Sequence, residues 1–203
     1  MKMIRNLIIP SIVFLVGICA LNAQMAPEKT ALGFKIGINR STLYDDANAT
    51  DKKKRTGITA GVFAQVPFAK GKMSLRPELL FTTKGGEYVL PSGGRTNFKI
   101  NYIELPLSLE YRLLSFVNLH AGGYAARIIS AKGMTEPNTG SLARANFEKF
   151  DYGWLAGAGL DLGSLGIHFR LSRGLKKVGG SQVAPLFGDL KNSTWAITLS
   201  LGL

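Results

Sequence analysis

Eight segments of this chain alternate, residue by residue, between large apolar side chains and small or polar ones. The clearest is the last. Trp195, Ile197, Leu199, Leu201 and Leu203 fall on one side, with Thr194, Ala196, Thr198, Ser200 and Gly202 on the other. A period of two is the mark of a strand whose faces meet different surroundings. Here one face suits lipid and the other a polar interior.

The same pattern runs through Leu32–Asn39, Gly57–Val66, Met73–Thr82, Ile103–Arg112, Val117–Ala125, Asp151–Leu162 and Leu165–Ser172. Each is close to the roughly 9–11 residues that a tilted strand needs to cross an outer membrane. No stretch beyond the first 23 residues is apolar for the roughly 18 residues that a crossing helix requires. If the chain enters a membrane, strands must carry it across, because only closed barrels and helices satisfy their backbone there.

The connections supply a second signal. Long ones at Arg40–Arg55, Lys84–Asn97, Ser130–Lys149 and Gly174–Ser193 alternate with short ones at Pro67–Lys72, Leu113–Ser115 and Gly163–Ser164. A barrel inserted from the periplasm has tight turns on that side and longer loops outside, with both termini in the periplasm. Pro77 and Pro106 fall inside strands, where each removes a ladder donor, and predict local bulges. A soluble barrel of the lipocalin kind would carry the same alternation turned inside out. Alternation alone does not separate the two; the terminal strand, the loop lengths and the absence of cysteine favour the membrane.

Residues 1–23 read as an export signal. Lys2 and Arg5 form the basic start, Leu7 to Ala20 the apolar stretch, and Ala23 a small residue before the cut. Cys19, the single cysteine, lies inside it, so residues 24–203 hold none and disulfides are excluded there. The formal charge of +12 raises nucleic acid as a partner. The basic residues are scattered, however, and the one cluster, Lys52–Arg55, lies beside Asp45, Asp46 and Asp51. In an exported chain such charge fits anionic lipopolysaccharide better.

The polar strand faces collect Lys35, Arg76, Glu78, Glu104, Glu110, Arg112, His120, Asp151, Asp161, His168 and Arg170. The interior of an eight-stranded barrel is just wide enough to be filled by side chains. These charges are therefore expected to interlock as a structural network, since buried charges must be paired. Glu104 and Glu110, six residues apart on one strand, would stand about 20 Å apart, too far for paired acid–base work. The two histidines sit on different strands without metal-ligand spacing, and no serine has a recognisable histidine and aspartate arrangement. Gly157 and Gly159 lie in a strand and leave room for large side chains from across the barrel. Tyr44, Tyr88, Met134 and Phe187 are loop candidates for contacts, and Tyr152, Trp154 and Trp195 for an interfacial girdle.

Several stretches together resemble the PorT-like outer-membrane β-barrel family of the Bacteroidetes. They are LRPELLFTTKGGE (Leu75–Glu87), NYIELPLSLEYR (Asn101–Arg112), AGGYAARII (Ala121–Ile129), DYGWLAGAGLDL (Asp151–Leu162) and the Gly174-Leu175 pair after FRLSR. The resemblance implies an eight-stranded outer-membrane barrel. Through its namesake it implies a link to type IX secretion, and it carries no functional residue.

The expectation is an all-β, eight-stranded antiparallel up-and-down transmembrane β-barrel over residues 24–203, in the cell outer membrane. It is expected to be monomeric, with a plugged polar lumen and without catalysis, cofactor or metal. Its expected partners are outer-membrane lipid, lipopolysaccharide and envelope proteins. The role is structural or in surface interaction; the alternatives are an accessory part in type IX secretion, small-ligand binding or a narrow channel.

Overall fold

The computed structural model describes residues 30–44, 52–89, 95–136, 141–142, 149–176 and 191–203. The expected export signal lies outside them. Nine strands follow in order: β1 (Ala31–Tyr44), β2 (Lys52–Phe68), β3 (Met73–Val89), β4 (Arg95–Arg112), β5 (Val117–Glu136), β6 (Ser141–Leu142), β7 (Phe150–Leu162), β8 (Leu165–Gly174) and β9 (Lys191–Gly202). Apart from the two-residue β6, which pairs with the outer end of β5, each strand lies antiparallel to its sequence neighbour. β9 then pairs with β1, from Gly33–Gly202 to Tyr44–Lys191, and closes an eight-stranded barrel.

Tracing paired residues round the barrel gives its stagger. The path Val66–Leu75–Leu109–Ala121–Ala156–Leu171–Trp195–Arg40 crosses all eight strands. It leaves β2 opposite position 30 of β1, next to the Ala31–Gln65 pair, and returns to β1 at Arg40, ten residues farther out. A stagger of this kind tilts the strands against the barrel axis.

Short turns gather at the end that holds Ala31 and Leu203. Ala69 and Lys70 both have positive φ (52° and 55°), and Gly71 N donates to Phe68 O at 3.1 Å, the geometry of a type I′ turn. Gly163 (φ 67°) makes the two-residue turn between Leu162 and Leu165. At the opposite end the strands run farther than alternation alone indicated. Lys52–Arg55, Gly85, Gly86, Tyr44, Tyr88 and Met134 all lie within strands and not in loops. Phe187 and Gly179-Gly180 lie outside the described residues.

The two faces are unequivocal. Lys35 is 4% exposed between Phe34 at 56% and Ile36 at 63%. The charged face therefore points into the barrel and the apolar face out, the reverse of a lipocalin. Exposed Ile, Leu, Val and Phe side chains continue this apolar wall over every barrel strand. Tyr152 and Trp154 are exposed and Trp195 half-buried on the outer half of the wall, with Phe68, Tyr111 and Phe116 exposed near the short turns.

The bulges expected at the prolines are absent. The β3–β4 register is the same on both sides of Pro77 and Pro106, from Pro77–Leu107 to Leu80–Glu104; the ladder only lapses between them. A missing donor interrupts hydrogen bonds without requiring an inserted residue. The register shifts elsewhere, between Lys54 and Thr59 on β2 and between Asn101 and Tyr102 on β4.

Candidate functional site

With the apolar side chains turned to lipid, the lumen collects the polar ones, and it is filled in layers. At the short-turn end a mouth cavity of about 250 Å³ is lined by Phe63, Gln65, Arg76, Arg112, Asp161 and Ser200 among others. Arg112 is half-buried there and donates from Nη1 to Gly71 O at 2.9 Å. Asn118 Nδ2 donates to Asp161 Oδ2 at 2.6 Å.

Above the mouth lies an ionic layer centred on Glu78. Its carboxylate accepts from Lys35 Nζ at 2.6 Å and from Arg170 Nη1 and Nη2 at 2.8 and 2.7 Å, and meets Arg76 Nε at 3.5 Å. Arg76 Nη1 reaches Glu110 Oε2 at 3.0 Å, while Gln65 Nε2 donates to the other Glu110 oxygen at 2.8 Å. The Arg76 guanidinium also lies over the Phe63 ring at 4.1 Å. Bidentate and charge-assisted bonds are the strong ones, and in a low-dielectric lumen they offset the cost of burying the charges.

Beside this layer His120 and His168 meet edge to face, 6.1 Å between ring centroids. They come from β5 and β8, on either side of β7, opposite Gly157 and Gly159 respectively. A Cβ on Gly159 would overlap His168 Nδ1, and one on Gly157 would come within 2.6 Å of His120 Nε2. The glycines thus make room for side chains of the flanking strands, not for ones from across the barrel.

A void of about 20 Å³, bounded by Lys35, Thr59, Lys84, Glu104 and Arg170 among others, separates the ionic layer from the roof. It is the size of one water. Lys84 Nζ touches Glu104 Oε2 at 2.6 Å without the alignment of a hydrogen bond, and sits 4.5 Å from the Tyr124 ring centre. Tyr124 OH donates to Asp151 Oδ2 at 3.2 Å; Asn192 Nδ2 donates to the same oxygen at 2.7 Å and to Tyr102 OH at 3.1 Å. Ile100, Tyr102, Ile128 and Leu155, all at most 2% exposed, complete an apolar roof.

Of the residues expected in the lumen, Lys35, Arg76, Glu78, Glu104, Glu110, His120, Asp151, His168 and Arg170 are buried. Arg112 and Asp161 are half-buried at the mouth. Glu78, Lys35, Arg76, Arg170 and Glu110 form one cluster, while Glu104 and Asp151 belong to the roof. Lys84 and the roof residues Ile100, Ile128 and Leu155 were not anticipated. Ser200, His168 and Asp161 do converge, but Ser200 Oγ (2.9 Å) and Asp161 Oδ1 (3.5 Å) both approach His168 Nε2. A relay needs the acid on one ring nitrogen and the hydroxyl on the other. Among the described residues no group of three His, Cys, Asp or Glu side chains could hold a metal ion.

A closed antiparallel barrel of eight tilted strands, apolar outside and charged within, defines the class: a transmembrane β-barrel of the outer membrane. A family model, outer membrane protein beta-barrel domain, matches residues 22–179, and the chain belongs to that family. It is an outer-membrane protein. Two solved structures share the fold at low identity. One is Ail, the attachment invasion locus protein of Yersinia pestis, in complex with the heparin analogue sucrose octasulfate (16% identity, TM-score 0.51, covering 86% of this chain and 99% of that one). The other is Neisserial surface protein A (10% identity, TM-score 0.52, with 86% and 99% covered). No curated protein matches the chain in sequence.

Proposed function

We propose that this chain is a non-catalytic outer-membrane barrel that works through its outer surface, in a structural or surface-interaction role, and not through its lumen. One observation carries the reading: the lumen is filled twice over, by the ionic layer around Glu78 and by the apolar roof of Ile100, Tyr102, Ile128 and Leu155. In this reading Lys35, Arg76, Glu78, Glu104, Glu110, Arg112, Asp151, Asp161 and Arg170 are a structural network. Residues 1–23 are the export signal, 24–203 the single barrel domain, and the working form a monomer. The formal charge of +12 falls to +10 without Lys2 and Arg5 of the signal, and it favours anionic partners such as lipopolysaccharide. Ail, of the same fold, was solved with a polyanion.

The direct test is electrical. The folded chain in a planar lipid bilayer is expected to give no stepwise conductance; discrete single-channel steps would restore the narrow-channel reading. The stretches resembling the PorT-like family of the Bacteroidetes favour a second reading, an accessory role in type IX secretion. Deleting the gene in its host and comparing released with periplasmic proteins tests it. Cargo trapped in the periplasm and rescued by complementation supports secretion, and an unchanged secretome removes it.

A further inference from the structure

The charges of this barrel sort by sign. Among the described side chains all five carboxylates, Glu78, Glu104, Glu110, Asp151 and Asp161, belong to the lumen. Five cations, Lys35, Arg76, Lys84, Arg112 and Arg170, balance them there, with Arg55 half-buried at the outer mouth. On the outside the order is different. Passing outward along each strand from the short turns, the first charged residue on the lipid-facing side is basic on six of the eight barrel strands. These residues are Arg40 on β1, Lys54 on β2, Lys99 on β4, Arg127 on β5, Arg173 on β8 and the half-buried Lys191 on β9.

Their heights form a belt. Ten residues of stagger shared by eight strands displace a level from the paired residues by a little over one residue per strand. With that correction Arg40, Arg127 and Arg173 stand at one height, level with Tyr152 and Trp195. Paired residues agree, since Arg40 faces Trp195 and Arg173 faces Trp154. Lys54, Lys191 and Lys99 stand about three to five residues farther out on their strands. Aromatic side chains of this kind mark the headgroup level of a bilayer. The opposite rim is unlike this one: its exposed cations are Lys70 and Lys72 of one turn, and the next turn exposes Leu113, Leu114 and Phe116.

We infer that this belt binds the phosphate groups of phosphorylated lipid, of the lipid A type, in the outer leaflet around the barrel. The inference rests on the reading that the barrel works through its outer surface; it narrows the anionic partner to lipid phosphate and assigns the residues that hold it. Geometry selects lipid over a soluble partner. Cations distributed round a cylinder, at the height where headgroups lie, cannot be covered by one globular partner, whereas a shell of small neighbours covers them all. Arg and Lys carry their charge on apolar stems that lie along the wall and reach the headgroup plane, and guanidinium groups match phosphate in fork geometry.

The test uses the full chain folded in phosphatidylcholine vesicles with and without lipid A, reading the temperature at which the compact gel band of the unheated barrel converts to the unfolded one. Lipid A is expected to raise that temperature by several degrees. Arg40→Gln/Lys99→Gln/Arg127→Gln should lose more than half of the rise, and Lys70→Gln/Lys72→Gln at the opposite rim should keep it. Inorganic phosphate in place of lipid A should give no rise; an equal rise would mean that any anion suffices and would overturn the proposal. So would a full rise in the triple variant, or none in the wild type. Should the triple variant fail to fold, lipid A bound per barrel, read from its hydroxylated acyl chains, is measured for Arg40→Gln and Arg127→Gln singly. Each is expected to fall below the wild type, and unchanged values overturn the belt. None of these results depends on conductance, so failure here leaves the sealed-lumen reading standing, and channel steps in the bilayer would sink that reading alone.

Discussion

The ionic layer and the roof fill the same lumen by opposite means. Around Glu78 one carboxylate holds Lys35, Arg76 and Arg170 in contact, with Glu110 as a second acceptor for Arg76 alone. In the roof, Ile100, Ile128 and Leu155 exclude water by packing, and the Tyr102 and Tyr124 hydroxyls, Asn192 Nδ2 and Asp151 Oδ2 are hydrogen-bonded to one another. The lower layer therefore concentrates its stability in one group, and the upper layer spreads it over many contacts. A fault should be catastrophic in the first and graded in the second.

The largest effect is expected at Glu78. Glu78→Ala takes the acceptor from Lys35 and Arg170, while Arg76 keeps Glu110, and should cost about 3–5 kcal/mol, the range for breaking a buried pair. Urea unfolding of the barrel in vesicles measures it. The same variant sharpens the comparison: because the roof is intact, it should still give no conductance in a planar bilayer. Ile100→Ala should cost about 2 kcal/mol, the low end for truncating a buried isoleucine, and a loss as large as that of Glu78→Ala would erase the contrast between the layers. Gly159→Ala crowds His168, whose Nδ1 is the atom nearest to the added Cβ, and should cost about 1–3 kcal/mol by overpacking. Adding His168→Ala should return part of that loss, which a double-mutant cycle reads directly. The smallest change is a gain. Ala69→Asn with Lys70→Gly suits the positive φ of the turn below the ionic layer and should stabilise by about 0.5–1 kcal/mol.

The lower layer was legible in the sequence and the roof was not. Lys35, Arg76, Glu78, Glu110 and Arg170 sit mid-strand, where period two is unbroken, so their common face could be read from spacing alone. What spacing could not give is that Glu78 meets three cations at once, since that depends on which strands face each other across the barrel. Lys84 and Ile100 lie where the strands continue beyond the apolar wall. Thr82, Thr83, Lys84, Gly85 and Gly86 are all buried in succession next to a register shift, so alternation stops although the strand does not. A glycine pair and a lysine there look like a loop. Ile128 and Ile129 show the same difficulty: one points in and the other out, and an apolar pair carries no parity of its own.

The Glu78 cluster has a consequence for assembly. Glu78 and the three cations it meets come from β1, β3 and β8, and Arg170 lies 92 residues from Glu78 along the chain. A growing sheet that has added β1 to β7 offers Glu78 without the guanidinium that grips it on two oxygens. Until β8 arrives and β9 reaches β1, those charges face one another only partly matched, beside lipid that cannot solvate them. An unfinished barrel is thus penalised at its centre as well as at its open edges. The cluster acts as an inspection point, satisfied only by a chain that has brought its late strands into place.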